Sequence, residues 1–316
     1  MKKKNEFQKR LEALSCVHSV CGNDGGMFEY IKSLLGEYCD SISKDSTGNI
    51  IAKRSCPDKN AKTVAVVAVC DDYGFAVTSV CDKAKKLHPV GLKKEALLRL
   101  SGKTAYTLSG KKGMLVPYGE ELVFETDDAI SEGDFVYPED KPQFFGNDKA
   151  YLLGAAAKVF SACLCDLATT DGEYPCNLEF VFMASHLLGA RGAVSASYKI
   201  CADEVIVLDF VSGSSVKSGS GPVIAFGDSQ GFCDRNMINE LKECANDIGV
   251  NIQMCAEIQK ERPSTLLPFL SQGKKTALIG VKSEMEKEGI SKCDIKDLLG
   301  CEAVVCAYLI KENGEI

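Results

Sequence analysis

Nothing in this 316-residue chain is long and apolar enough to cross a bilayer. No hydrophobic run reaches the roughly 20 residues a spanning helix needs, and the N-terminus has no apolar signal core. The expected location is cytoplasmic, with no membrane association. Basic residues are in deficit, 37 against 44 acidic ones, giving a formal net charge of -7 and a pI near 5.2. Without a Lys/Arg surplus to neutralise phosphates, neither nucleic acid nor an anionic membrane is an expected partner. The basic opening, Lys2-Lys3-Lys4, is read as a solvated helix start. The sixteen cysteines include no C-x-x-C pair, and their closest approach is Cys163-x-Cys165. That argues against a structural zinc or iron–sulfur site. The scatter of Cys70, Cys201, Cys255 and Cys306 through apolar segments reads instead as reduced, small core residues. Histidine is scarcer still, with His18, His88 and His186 the whole supply. Internal repeats and low-complexity segments are absent.

What is present is globular material, 45% hydrophobic and 26% charged, enough for one large α/β domain with an insertion. The spacing of Phe7, Leu11 and Leu14, then of Phe28, Ile31, Leu34 and Leu35, predicts two short helices broken at Gly22-Asn23-Asp24. Ile42, the turn Asp45-Ser46-Thr47-Gly48-Asn49 and Ile50-Ile51-Ala52 predict a hairpin leading into a buried strand at 63–70. From 77 to 145 short strands (104–108, 113–116, 122–126) are cut by glycine, charge and proline. This predicts a small β domain inserted between 1–76 and 146–316. A helix is expected over 150–165, then strands at 178–184, 205–210 and 222–226. Helices at 237–248, 265–271 and 295–309 alternate with strands at 251–255 and 276–281. Such alternation implies a mixed, mostly parallel sheet covered on both faces.

Taken in order, several segments carry a resemblance. They are Asp45-x-x-Gly48-Asn49; Ala68-x-x-Asp71-x-x-Gly74-Phe75-x-Val77-Thr78; Gly133-Asp134; Lys149-Ala150; Phe180-x-Phe182 followed by Gly189-x-Arg191-Gly192-Ala193; then Asp209, Gly221-Pro222-Val223-Ile224 and Asp228-Ser229. With these, nearly the whole chain resembles the dinuclear-zinc aminopeptidases of the tetrahedral, glutamyl (deblocking) and cellulase-M-like type, the forty-second metallopeptidase family. The resemblance implies an α/β fold: a three-layer α/β/α zinc-peptidase-like domain plus an inserted small β-barrel-like domain. It also implies two zinc ions held by two histidines and several carboxylates, one bridging, with a separate glutamate activating water. Two cations about 3.5–4 Å apart need a shared anion, and water attack at neutral pH needs both a Lewis acid and a proton acceptor.

Position by position, the chain departs from that pattern where the chemistry sits. The family's A-H-x-D is here Ala68-Val69-Cys70-Asp71, so Val69 replaces a histidine ligand while Asp71 is kept. Leu152 stands at the bridging aspartate in Lys149-Ala150-Tyr151-Leu152-Leu153-Gly154. His186 falls at the proton-transfer glutamate and Leu187 at a ligand glutamate. Asp209 keeps an aspartate ligand. Lys287 aligns with the final histidine, and the family's G-T-D-A is absent from 261–264.

Leucine and valine offer no lone pair, so a dication site lacking its bridging carboxylate cannot offset the lost hydration of the ions. One expectation is therefore a non-catalytic homologue with a binding, regulatory or oligomer-subunit role and no cofactor. It would form a homo-oligomer, or a hetero-oligomer with an active relative, and its ligand would be a peptide or small molecule. The other is an active aminopeptidase or hydrolase with an altered site. That site would use a single zinc or cobalt grouped with His186, Asp71 and Asp209, or would be metal-free with Cys70 as nucleophile. His186 also reads as a neutral imidazole hydrogen-bonded in a vacated pocket, Asp71 as a turn cap and Asp209 as a strand-end cap. Lys287 or His186 is expected to pair with Asp209 or Asp71. His18 and His88 read as surface or partly buried residues. The serine- and glycine-rich run from Ser212 to Gly221 suggests a phosphate cradle but lacks the lysine-bearing pattern, and a flexible loop is the plainer reading.

Overall fold

The computed structural model describes residues 2–20, 23, 26–81, 83–92, 97–139, 141–145, 149–153, 156–256, 264–285 and 290–311. Its helices are α1 (Lys2–Ser15), α2 (Met27–Leu35), α3 (Ala156–Ala168), α4 (Arg191–Lys199), α5 (Arg235–Asp247), α6 (Leu267–Leu270) and α7 (Ile295–Ile310). Strands β1 (Ser41–Lys44), β2 (Ile50–Arg54) and β3 (Thr63–Val69) lead into β4 (Gly74–Cys81), β5 (Ala84–Val90), β6 (Thr104–Thr107), β7 (Lys112–Tyr118), β8 (Glu121–Glu125) and β9 (Phe135–Pro138). Then come β10 (Gln143–Phe145), β11 (Lys149–Leu153), β12 (Asn177–Met183), β13 (Glu204–Val211), β14 (Val223–Ala225), β15 (Gln253–Cys255), β16 (Lys275–Lys282), β17 (Glu284–Met285) and β18 (Ile290–Asp294).

Eight strands form the main sheet in the order β1-β2-β12-β3-β13-β16-β14-β15. Its centre, β12-β3-β13-β16, is parallel, while β1, β2 and the β14–β16 pairing are antiparallel. The alternation of each strand divides the core in two. Val64, Val66 and Ala68 of β3 turn to one face, with Phe7, Leu11, Ile31, Leu164, Leu241 and Leu298 from five helices. Ala65 and Val67 turn to the other, where the short helices α4 and α6 supply Ala193, Ala196 and Phe269. Leu11 and Leu14 are fully buried on the thicker side, and truncating either to alanine costs about 2–5 kcal/mol at such sites.

Strands β4 to β9 close on themselves as an antiparallel barrel in the order β4-β5-β8-β7-β6-β9. Phe75, Leu115, Phe124 and Val136 fill its interior. The chain enters it directly from the end of β3, so the barrel roots beside the carboxyl ends of the parallel strands. In open α/β sheets, ligands bind in that region.

The expected helix over 150–165 is a correction. Residues 149–153 form β11, which pairs with β10 on one side and β18 on the other, in a separate four-stranded sheet β10-β11-β18-β17. The helix begins only at Ala156. One ladder partner, β10, is adjacent in sequence, but the other, β18, lies some 140 residues away, and that long-range pairing overrides the helical preference of an Ala/Leu-rich stretch. The expected helix at 265–271 is shorter too, spanning only Leu267–Leu270 with Pro268 in its first turn.

Helix α1 docks on α3 and α7 through charge as well as packing. Lys3 Nζ lies 2.9 Å from Glu302 Oε1, and Arg10 pairs with Asp166. The Glu302 side chain is buried, and that burial holds its carboxyl up at about 7 against the pull of Lys3. In the unfolded chain the group ionises near 4.5. Between those values the folded state keeps a proton that the unfolded state has released, so stability present at acid pH is lost as pH rises through the window. Thermal melts should therefore show Glu302→Gln matching the wild type at the acid end of this window. At mildly alkaline pH the variant should exceed it by a few degrees. A Tm difference that does not change with pH would refute this.

Candidate functional site

A polar clip shapes the strand ends. Asn49 is fully buried. Its Oδ1 accepts the Ala184 amide at 2.9 Å, and its Nδ2 donates to the Gly192 carbonyl at 2.9 Å and to Asp45 Oδ2 at 2.8 Å. Asp45 Oδ1 accepts the amides of Thr47 and Asn49, and its other oxygen accepts the Ser195 hydroxyl at 2.8 Å. One turn between β1 and β2 thus fixes both the exit of β12 and the start of α4. The segment between them is bent hard: Ser185 and Ala190 are non-glycine residues with φ of 53° and 56°, and Gly189 has φ 81°. Strained backbone of this kind persists only where neighbours over-determine it.

His186 and Leu187 lie within that bend. His186 is 6% exposed, and its Nδ1 is buried without a hydrogen-bond partner among the described residues. The expected hydrogen bond from a neighbour is therefore missing at this nitrogen. Leu187 turns away from the strand ends and packs against the barrel. There it joins Val20, Val90, Ala76 and Tyr137, so closely to Gly91 that a Cβ on that glycine would lie 2.7 Å from Leu187 Cδ1. Its backbone amide donates to Asp71 Oδ2 at 3.2 Å. Val69 packs on the thinner core, and its carbonyl accepts the Ser161 hydroxyl at 3.2 Å.

Asp209 closes the row at the end of β13. It accepts its neighbour Phe210's amide at 2.7 Å and the Thr265 hydroxyl at 3.1 Å. Asp228, close by in sequence to β14, accepts the Ser264 hydroxyl at 2.5 Å. Cys70 is buried in the thicker core, its amide donating to the Met183 carbonyl at 2.8 Å. The fifteen described cysteines form no disulfides.

The 212–221 run is tied down rather than loose. Asp297, buried at the start of α7, accepts the amides of Gly219 at 2.7 Å and Gly221 at 2.8 Å. Gln253 accepts the Lys217 amide and donates to the carbonyls of Lys217 and Gly221. A phosphate cradle would need those glycine amides free, so this arrangement overturns that reading. It also corrects the flexible-loop expectation.

Sequence reasoning passed over a second cluster beside Asp71. Asp72 is buried and accepts the Ser19 amide at 3.0 Å and the Lys158 ammonium at 3.1 Å. His18 Nδ1 stands 3.8 Å from the same oxygen, its ring stacked 3.6 Å over Tyr137 of the barrel. Burial, and secondarily the Lys158 charge, pull the His18 imidazole down to about 4. Burial raises the Asp72 carboxyl in spite of its lysine. The signal was there: one lysine in the otherwise apolar start of α3, and an acidic doublet after a buried strand. His88 faces outward from barrel strand β5. Leu152 has its backbone in β11, opposite Ser291 of β18, and Lys287 lies outside the described residues, as do 261–263.

Val69 and Leu187 bring no side-chain donor atom, Leu187 packs against the barrel, and Asp71 and Asp209 accept hydrogen bonds from the Leu187 amide and the Thr265 hydroxyl. Among the described residues no group of three or more His, Cys, Asp or Glu side chains is arranged to hold a metal ion. What the arrangement can do is present acidic acceptors and one imidazole at the end of a rigid sheet.

The sequence pattern of the M42 glutamyl aminopeptidases matches residues 114–304. A glutamyl aminopeptidase of Lactococcus lactis is 23% identical over 79% of this chain and 81% of its own length. Among solved structures, an aminopeptidase of the archaeon Desulfurococcus kamchatkensis superposes with a TM-score of 0.86 at 16% identity, over 98% of this chain and 95% of its own. A Pyrococcus horikoshii TET1 peptidase, described as able to assemble into a tetrahedron or a large octahedral shell, gives 0.83 at 17% identity, over 96% and 99%.

The bend that carries His186 makes its own prediction. A Cβ at Gly192 would sit 1.7 Å from the Ala184 carbonyl oxygen and 2.8 Å from Asn49 Oδ1, whereas Gly189 has open space around it. Gly192→Ala should therefore lower Tm by about 10 °C or abolish folding. Gly189→Ala should cost only the roughly 1 kcal/mol of a left-handed alanine, a few degrees. Equal melts for the two variants would contradict the clip.

Proposed function

Since the chain belongs to the M42 glutamyl aminopeptidase family, we propose that it keeps the aminopeptidase scaffold without the dinuclear metal site and acts as a binding, regulatory or oligomer-forming subunit. We divide it into a body of 1–76 and 146–316 and an inserted β domain of 77–145. The observation that carries this reading is Leu187: where the resemblance implies a ligand glutamate, the chain has a half-buried leucine packed against Gly91 and Val90 at the barrel. Three further features support it. Val69 is apolar, Asp71 is occupied by the Leu187 amide, and Asp209 by the Thr265 hydroxyl. Assembly of the Pyrococcus relative into closed shells supports a homo-oligomer here, with a mixed assembly containing an active relative as the variant form.

One observation favours a second reading. The buried, unbonded Nδ1 of His186 is the kind of nitrogen that would bind a single zinc or cobalt ion beside Asp71 or Asp209 in an altered, still active hydrolase.

Elemental analysis after equilibration with zinc or cobalt, run with a panel of aminoacyl substrates, separates the two. The first reading expects neither bound metal nor turnover, and light scattering should report a large assembly. One ion per chain that is lost in His186→Ala, with turnover, would support the second reading. Two ions per chain with turnover would overturn the first.

A further inference from the structure

Lys158 is buried in the apolar start of α3, only 1% exposed. Its ammonium has three hydrogens and meets three oxygens: the carbonyls of Val17 at 2.9 Å and Cys70 at 3.1 Å, and the Asp72 carboxylate at 3.1 Å. That matches the donor capacity of the group with none left over. The oxygens belong to the segment after α1 and to the chain leaving β3, two stretches joined by a parallel bridge between Val20 and Asp72. The Asp72 amide donates to the Ser19 carbonyl at 2.7 Å, and its carboxylate also faces His18, which lies on Tyr137 of the barrel. Helix, sheet end, N-terminal segment and barrel thus meet around one positive charge.

We propose that Val17, Cys70 and Asp72 form a cation site that the chain fills with its own tethered ammonium, Lys158. This internal cation holds the site end of the sheet to the barrel with no bound ion. The inference deepens the metal-loss reading, because a sheet end with adjacent buried acids at 71 and 72 needs fixed positive charge from some source. Without Lys158, Asp72 would face the interior as an uncompensated carboxylate, which is far costlier than losing an exposed pair.

The experiment uses the full chain. Lys158→Met keeps the bulk and removes the charge, and should lower Tm by about 10 °C or more. Adding Asp72→Asn to that variant should recover about half of the loss, since it removes the stranded charge. Lys158→Ala leaves the oxygen shell with a hole. Ethylammonium chloride should then raise the Tm of this variant by several degrees. Tetramethylammonium at equal ionic strength cannot donate hydrogen bonds and should not, and the wild type should respond to neither. A Lys158→Met chain melting like the wild type overturns the proposal, as does equal response of Lys158→Ala to both salts. If Lys158→Met does not fold, a folded Lys158→Met/Asp72→Asn chain still supports the proposal, and failure of both the double variant and the ethylammonium rescue overturns it. Stoichiometric zinc in the wild type would sink the metal-loss reading while leaving these melts unaffected.

Discussion

The strand ends depend on the carboxamide of Asn49. A side chain with no exposure to solvent has to place every polar atom it carries, and this one does so by joining three separate pieces of chain: the β1–β2 turn, the exit of β12 and the first turn of α4. A buried amide or carbonyl left without such a partner costs about 1–3 kcal/mol, so the clip sets the path of the chain as firmly as a packed leucine does. The path it sets is the strained bend from Ser185 to Ala190, and through that bend the placement of His186 and the outward turn of Leu187. The resemblance motif Asp45-x-x-Gly48-Asn49 is thus explained by architecture alone. It builds the shelf on which a site stands, whatever that site contains.

The same division runs through the rest of the molecule. Glycines and amides that shape the strand ends are in place, with Gly192 pressed against Ala184 and Gly280 against the Asp209 backbone. At the positions where the resemblance implies ligands, Val69 and Leu187 are apolar, and Asp71 and Asp209 accept hydrogen bonds from the Leu187 amide and the Thr265 hydroxyl. Scaffold residues are held by contacts on every side, so a change there is felt as lost folding. A ligand residue is held chiefly by its ligand, so a change there leaves the surrounding fold standing.

The main sheet, the barrel and most helices were legible in the sequence because their signals are local. The continuous apolar run at 63–69, the Asp45–Asn49 turn and the amphipathic faces of α1 and α2 each declare themselves within a dozen residues. The small sheet of β10, β11, β17 and β18 did not, because its central pairing joins residues 149–153 to 290–294 and neither stretch alternates clearly. Asp71 and Asp209 were found by position, but the partners that occupy them, the Leu187 amide and the Thr265 hydroxyl, are contacts no sequence spacing encodes. Lys158 was passed over for a related reason: a lone cation in an apolar helix looks like noise until the carbonyls around it are seen. For the Ser212–Gly221 run the missing knowledge was the remote carboxylate of Asp297, which takes up its amides.

The docking of α1 on α3 and α7 bears on how the chain comes into being. Lys3 finds Glu302 almost at the far end of the sequence, and Arg10 finds Asp166 near its middle. During synthesis the first helix emerges with Phe7, Leu11 and Leu14 on one face and nothing yet made to cover them. It waits until α3, its main packing partner about 150 residues further on, has been made. A growing chain with such an exposed stripe is open to chaperones and to its neighbours on the same message. Coverage of that stripe thus falls to α3, and the Lys3–Glu302 pair adds a latch from a remote helix to a surface that is by then already packed.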